Sequence, residues 1–266
     1  MVRDLRGSRM LITGASSGIG RSLAEQAVRA GARVALTARS ADKLDELVAQ
    51  LTAEGADVTA IPADLTSDAE RRRLLEVVTG RFDGLDVLVN NAGVASAGHF
   101  ADGTEAVLRQ VMEVNFFAPA ELMRLALPAL MRGRCPAVLN VASMCGRRGM
   151  PAWTEYSASK FALCGLTESL RAEFARFDVD VLLVVPGLTS SDLSRHMLRS
   201  EARMKIDFSR GMKVDDAARS ILDALRRNRS ETVLGSDARW MLLANRFFPR
   251  WVNYLIARRV RRLYAS

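Results

Sequence analysis

The sequence predicts a single doubly wound α/β domain with a seven-stranded parallel sheet, followed by a C-terminal helical extension. Three observations carry this expectation. Short β-rich apolar runs recur at MLIT (10–13), RVALT (33–37), DVTAI (57–61), DVLVN (86–90), AVLNV (137–141), VDVLLVV (179–185) and ETVLG (231–235). The stretches between them, such as SLAEQAVRAG, KLDELVAQLTAEG and AERRRLLEVVTG, space their apolar residues by three and four, and the first two close on Gly31 and Gly55 in helix-ending positions. The runs are continuously apolar, as strands covered by helices on both faces require.

The composition fits this reading and excludes others. A chain of 266 residues, 49% hydrophobic and 26% charged, can bury a large core and is neither disordered nor low in complexity. Neither a linker nor an internal repeat divides it, so the expected organisation is a catalytic domain over 1–236 and a helical extension over 237–266. Cys135, Cys145 and Cys164 are too few and too scattered for a disulfide framework or a CxxC metal site, which points to a reducing compartment. LITGA is too short and glycine-rich for the core of an export signal, and no apolar run approaches the roughly 18 residues of a spanning helix. The expected location is cytoplasmic.

Taken in order, the first strand runs into TGASSGIG (13–20) and then a helix. Gly14 allows the tight turn, Gly18 lets the backbone approach a pyrophosphate, and Gly20 permits close helix packing. Ser16, Ser17 and Ile19 complete a turn whose N–H groups face the anion, so this is a Rossmann-type dinucleotide site. The second strand ends at ALTARS, where an acid would hold the 2′-hydroxyl of NAD. Ala38 and Arg39 stand there instead, with Ser40 beside them, and a guanidinium matches a 2′-phosphate, so the expected cofactor is NADP(H).

Further along come ADLTS (63–67), NNAG (90–93), VNFF (114–117), NVAS (140–143), YSASK (156–160) and PG (186–187). Ser143 precedes Tyr156 by thirteen residues, and Tyr156 precedes Lys160 by four. In order and spacing these motifs resemble the short-chain dehydrogenase/reductase family, over about residues 1–235. The resemblance implies an oxidoreductase that interconverts a ketone or aldehyde with an alcohol, commonly as a dimer or tetramer. It implies that Asp64 and Leu65 meet the adenine and that Asn90, Asn91, Ala92 and Gly93 pack beneath the cofactor. Asn115 corresponds to the family's helix-kinking asparagine, whose carbonyl holds a water that relays protons to Lys160; alternatively it caps a helix break before Pro119. Pro186, Gly187, Thr189 and Ser191 correspond to the nicotinamide loop, where Thr189 and Ser191 replace the valine and threonine common in the family. The resemblance also makes Lys160 a holder of the nicotinamide ribose.

The chemistry follows from residue types. Tyr156 and Lys160, four apart in a helical pattern, share one face, and an ammonium beside a phenol favours the phenolate. A free phenol titrates near 10, so Lys160 is expected to bring Tyr156 toward a useful acid–base range. Ser143, at the end of a strand, is placed to donate to a substrate carbonyl oxygen and not to act as a nucleophile. Only His99 and His196 exist to support a Ser-His-Asp triad, and both fall in loop contexts; no metal is expected.

A substrate lid is expected over about 188–211, mixing Met197, Leu198, Met204, Ile206 and Phe208 with Arg195, Arg199, Arg203 and Lys205. With Met144, Met150 and Trp153 these predict a hydrophobic pocket, with Cys145 as a packing residue; a sugar or a polar polyketide is the alternative substrate. The net charge of +8 is concentrated after Asp237, where seven arginines and no acid occur. There Pro249 separates two helical patterns. Val252, Leu255, Ile256, Val260 and Leu263 mark one face, and Arg258, Arg261 and Arg262 another. With Trp240, Phe247, Phe248, Trp251 and Tyr254 this reads as an interfacial membrane helix at the inner face of a membrane, or as a helix pair covering the cleft or a partner subunit. Nucleic-acid binding is not expected, for want of a motif. A catalytically silent NADP-binding regulator or membrane scaffold would show a damaged Asn-Ser-Tyr-Lys set, which is complete here.

Overall fold

The seven apolar runs each form a strand, shifted by no more than two residues at the ends, in a computed structural model that describes residues 2–191, 193, 197–204 and 206–264. The chain runs β1 (Arg9–Thr13), α1 (Gly18–Arg29), β2 (Arg33–Thr37), α2 (Ala41–Ala53), β3 (Val58–Ala60), α3 (Asp68–Phe82), β4 (Val87–Asn90), β5 (Ser96–Ala97) and α4 (Glu105–Met112). A π-helical turn (Glu113–Phe117) leads into α5 (Ala118–Leu130), β6 (Ala137–Val141), α6 (Thr154–Phe174), β7 (Asp180–Pro186) and β8 (Arg199–Ser200). The chain continues through α7 (Val214–Arg226), β9 (Glu231–Leu234), α8 (Ser236–Phe247) and α9 (Pro249–Tyr264).

The main sheet has the order β3-β2-β1-β4-β6-β7-β9 and is parallel throughout. Successive residues of one strand enter opposite cores, which is why the runs are apolar at every position. Met10 and Ile12 of β1 join the layer formed with α1, α2 and α7, through Leu23, Leu47 and Ile221. Leu11 joins the layer formed with α3, α5 and α6, through Leu74, Leu122 and Phe174. The chain lays strands outward from β1 to β3 and then returns to place β4 on the other side of β1. The ends of β1 and β4 therefore diverge into the crevice where such sheets bind ligands.

A second, two-stranded sheet pairs β5 with β8, Ser96 opposite Arg199 and Ala97 opposite Ser200. Strands of two residues carry no readable period, so nothing in the sequence announces them. They tether the expected lid segment to the loop after β4. Arg195, His196 and Lys205, named from the sequence in that segment, lie outside the described residues. At the C-terminus Pro249 opens α9, where a first-turn proline sacrifices no helical hydrogen bond. Ala238 and Val252 are the buried residues that seat α8 and α9 on the domain.

Candidate active site

A cavity of about 1280 Å³ opens where the loops after β1, β2, β3, β4, β6 and β7 converge. Every residue expected from sequence to contact cofactor or substrate oxygen lines it, from Gly14 to Ser191, whereas Asn115 and Asn90 lie behind its wall.

The glycine turn is shaped by contacts that no larger residue could satisfy. Gly14 has φ +66°, and a Cβ there would sit 2.8 Å from the Ala92 Cα. A Cβ on Gly20 would fall 2.2 Å from the Gly14 carbonyl oxygen and 2.5 Å from Asn91 Nδ2. Asn91 Nδ2 donates to the carbonyls of Thr13 (2.9 Å) and Gly14 (3.3 Å), which ties the loop after β4 to the glycine turn. Thr13, whose role the sequence did not reveal, is the hub: its hydroxyl accepts from the N–H groups of Asn91 (2.9 Å) and Ala92 (3.0 Å) and donates to the Val89 carbonyl. Its signal is a buried polar residue at the end of an otherwise apolar strand. Ser17 precedes α1 without a side-chain cap, so the first N–H groups of the helix remain available to an anion. This cradle fits a pyrophosphate.

At the end of β2, Arg39 is exposed on the cavity rim beside Ser40. Lys43, one turn into α2, joins them there and was missed in the sequence because a solvent-facing lysine on a helix carries no motif. Asp64 belongs to the turn after β3. Its carboxylate is held below the usual range first by the Thr66 N–H (3.0 Å), against burial, and then by the Thr66 hydroxyl (2.8 Å) and the Arg39 charge. Leu65 lines the cavity beside it.

Beyond β6 and along α6 stand Ser143, Tyr156 and Lys160. Ser143 Oγ accepts from the Cys145 N–H (3.1 Å), which leaves its own proton to donate. Tyr156 packs edge-on against Trp153, ring centroids 5.7 Å apart. Lys160 Nζ donates to the Val141 carbonyl (3.1 Å) and lies 5.9 Å from the centre of the Tyr156 ring. The expectation that Lys160 brings the phenol down is not met in this geometry. Burial dominates both groups: it raises Tyr156 above its ordinary value, with the Ser143 hydroxyl only partly offsetting, and draws Lys160 down to about 8.

Asn115 is fully buried in the π-helical turn. Its Oδ1 accepts from the Val94 N–H, and its Nδ2 donates to the Val94 carbonyl and to Ser159 Oγ, each at 2.9 Å. The side chain thus bridges to the loop after β4 and to α6, and the alternative of a cap on its own helix is not what it forms. Asn90 also departs from expectation. It is buried and donates to Asn140 Oδ1 (2.8 Å), whose amide reaches Thr167 (2.9 Å), a polar ladder inside the sheet and not a floor under the cavity.

The loop after β7 places Pro186, Gly187, Thr189 and Ser191 on the cavity, with the Thr189 hydroxyl turned back to the Gly187 carbonyl (3.3 Å) and the Ser191 N–H on the Thr189 carbonyl (2.8 Å). Asp237, in the first turn of α8, accepts from the Leu188 N–H (2.9 Å) and also lines the cavity. The expected boundary at 236–237 hides this contact. Met144, Met150, Trp153, Ile206 and Phe208 give the cavity its apolar wall, joined by Leu193. Met197 packs behind that wall. Leu198, Met204 and Arg203 are not among the lining residues, and Arg199 is buried, donating to the His99 carbonyl (2.7 Å) and pairing with Glu201, so it clamps the segment and does not face solvent.

Fold and site together define a Rossmann-class oxidoreductase scaffold, with a glycine turn at the switch point and a Ser-Tyr-Lys group across the strand ends. The chain belongs to the short chain dehydrogenase family, whose pattern matches residues 8–202. It is 31% identical over 259 residues to the uncharacterized oxidoreductase YxnA of Bacillus subtilis, covering 96% of this chain and 73% of that one. It is 30% identical over 256 residues to the 11-beta-hydroxysteroid dehydrogenase-like 2 protein of Arabidopsis thaliana, covering 95% and 82%. Among solved structures, a short chain dehydrogenase from Burkholderia cenocepacia in complex with NADP superposes with a TM-score of 0.81 at 26% identity, covering 96% of this chain and 99% of that one.

Proposed function

We propose that the protein is an NADP(H)-dependent oxidoreductase interconverting a carbonyl and an alcohol on a hydrophobic, lipid-like or steroid-like substrate. The observation that carries this reading is the convergence of Ser143, Tyr156 and Lys160 on the same cavity as the glycine turn. The residues after β2 support NADP(H): Arg39, Ser40 and Lys43 offer two cations and a hydroxyl to a 2′-phosphate, and Ala38 stands at the strand end where a carboxylate would hold the 2′-hydroxyl of NAD. The complex of the Burkholderia relative with NADP agrees. The apolar wall and the likeness to a hydroxysteroid dehydrogenase-like relative support the substrate class.

In this reading the α1 N-terminus and the glycine turn hold the pyrophosphate, and the loops at Asp64–Leu65 and Asn91–Gly93 bound the adenosine and the nicotinamide sides. Lys160 would hold the nicotinamide ribose, and the loop over 186–191 would bound the nicotinamide side. A nicotinamide bound there supplies or accepts the hydride. Ser143 donates a hydrogen bond to the substrate oxygen, and Tyr156 gives that oxygen its proton in reduction or takes it in oxidation. A phenol raised by burial stays protonated and able to donate at neutral pH, and the Lys160 charge stabilises the phenolate that the transfer leaves. Asn115 shapes the π turn whose carbonyl serves the proton relay to Lys160.

The test is NADPH oxidation at neutral pH against aliphatic, aromatic, steroid and 3-ketoacyl carbonyls, with Tyr156→Phe as the blank. The expected result is turnover on an apolar carbonyl that the variant loses while still binding NADPH. Undiminished turnover by Tyr156→Phe overturns the mechanism, and preference for a sugar overturns the substrate class.

A further inference from the structure

The two C-terminal helices display a surface that the active site does not explain. On α8, Trp240, Leu243 and Phe247 share a helical face, and on α9 Trp251, Tyr254 and Leu255 do the same, with Phe248 at the junction. Each is between 38% and 70% exposed. Most of the other large exposed hydrophobics are scattered over the domain, whereas these seven fall within sixteen consecutive residues. Ala238 and Val252 are buried and seat the helices, Ile256, Val260 and Leu263 of the expected apolar face are half-buried, and Leu255 at the edge of that face is exposed. The outward surface is therefore aromatic by construction and not the leftover of an inward face.

Arginines flank this ridge. Arg239, Arg246, Arg250, Arg258, Arg259, Arg261 and Arg262 are all exposed, and among the described residues none of them forms an ion pair. The sole acid of the segment, Asp237, is engaged by the Leu188 N–H. Arg239 donates to the Val233 carbonyl and Arg246 lies over the Phe247 ring, but no carboxylate among the described residues neutralises the seven charges, and such a ridge of Trp, Phe and Tyr is complementary to a layer that is apolar inside and anionic at its face. A second copy fits poorly, because a two-fold contact would set arginines against arginines in both copies.

We propose that α8 and α9 dock this protein on the surface of an anionic lipid bilayer, the aromatic ridge sinking to the acyl boundary and the arginines pairing with lipid phosphates. No helix among the described residues is long and apolar enough to cross a membrane, so the attachment is peripheral. The docked helices touch the loops of the cavity at two points. Asp237 holds Leu188, and Arg148, which follows the Ser143 strand end, donates to Asn245 (3.0 Å) on α8 and Asn253 (2.5 Å) on α9. Docking therefore sets the cavity beside the lipid phase, where an apolar substrate is concentrated.

The experiment is co-sedimentation of the full chain with phosphatidylcholine vesicles made with and without phosphatidylglycerol, read by pelleted protein and by tryptophan emission. The expected result is binding to the anionic vesicles only, a blue shift on binding, and release by salt. Each arginine at such a surface contributes roughly fivefold to partition, so Arg258→Gln with Arg262→Gln should weaken it by about thirtyfold. Replacing Trp240, Phe247 and Trp251 with Ser should abolish the blue shift and cut binding at least about tenfold, with the melting temperature unchanged because all three are exposed. The proposal is overturned if the chain stays in solution with both vesicles, or if the aromatic variant binds as the parent does. It is overturned equally if sedimentation velocity shows the ridge joining two copies and lipid leaves that dimer untouched. The readout uses no cofactor or substrate, so its failure is separate from failure of the catalytic reading.

Discussion

Replacing Asn115 with Leu, a residue of similar volume, removes three hydrogen bonds of 2.9 Å from a site with no solvent access. Ser159 Oγ keeps its bond to the Tyr156 carbonyl (2.8 Å), but the Val94 N–H and carbonyl lose the partner that the asparagine supplied. Each orphaned buried group costs about 1–3 kcal/mol, so the pair costs about 2–6 kcal/mol. For a chain of this size each kcal/mol lowers the melting temperature by about 2–4 °C, which gives a fall on the order of 4–24 °C. Gly93 adjoins Val94, and a Cβ on it would lie 3.1 Å from Asn115 Oδ1, so the loop lining the cavity should loosen and NADPH binding weaken along with stability. A thermal melt followed by circular dichroism, with and without saturating NADPH, measures both effects. A fall below about 2 °C with unaltered NADPH affinity would refute the claim that this side chain holds the loop.

The remaining predictions concern the cavity. Arg39→Asp should lower NADPH affinity and move the NADPH/NADH ratio of kcat/KM toward NADH by at least about tenfold, since a charge-assisted contact to phosphate contributes about 1.5–3 kcal/mol; an unchanged ratio removes Arg39 from cofactor choice. Lys160 has been drawn down to about 8 by burial, so its positive charge, present at neutral pH, is lost as pH rises through that value, while Tyr156, raised, stays protonated. Carbonyl reduction should accordingly decline on the alkaline side with a midpoint near 8, and Lys160→Met should be slow and lack that limb; a parent profile flat across the range contradicts this. Asp237→Ala removes the acceptor of the Leu188 N–H at an exposed position, so a loss of about 1 kcal/mol should lower the melting temperature by about 2–4 °C, and NADPH should bind more weakly as the loop lining the cavity loosens. Equal affinity would confine Asp237 to the helix terminus.

Much of this arrangement is legible in the chain itself because its signals are local. The strands are continuous apolar runs since each residue meets one core or the other, and Gly14 and Gly20 announce a turn that admits no Cβ. Tyr156 and Lys160 needed only the pitch of one helix to be paired. Asn90 and Asn91, adjacent and chemically identical, show where local reading stops. The strand pleat sends one into a buried ladder and the other to the glycine turn, and only the register of β4 against β1 and β6 assigns them.

The sequence by itself determined the layered fold, the glycine turn and the pairing of Tyr156 with Lys160 on one helix, because a run of apolar residues, a glycine or a four-residue spacing has its physical effect within a few residues. The tertiary structure alone decided the rest. Thr13 became the hub of two loops, Asn115 the bridge to Val94 and Ser159, Asp237 part of the cavity, and Arg199 a buried clamp. In this geometry burial also raises the Tyr156 phenol more than the Ser143 hydroxyl lowers it. These depend on distances between segments far apart in the chain and on how much water the packing excludes, and neither quantity is written in the order of the residues.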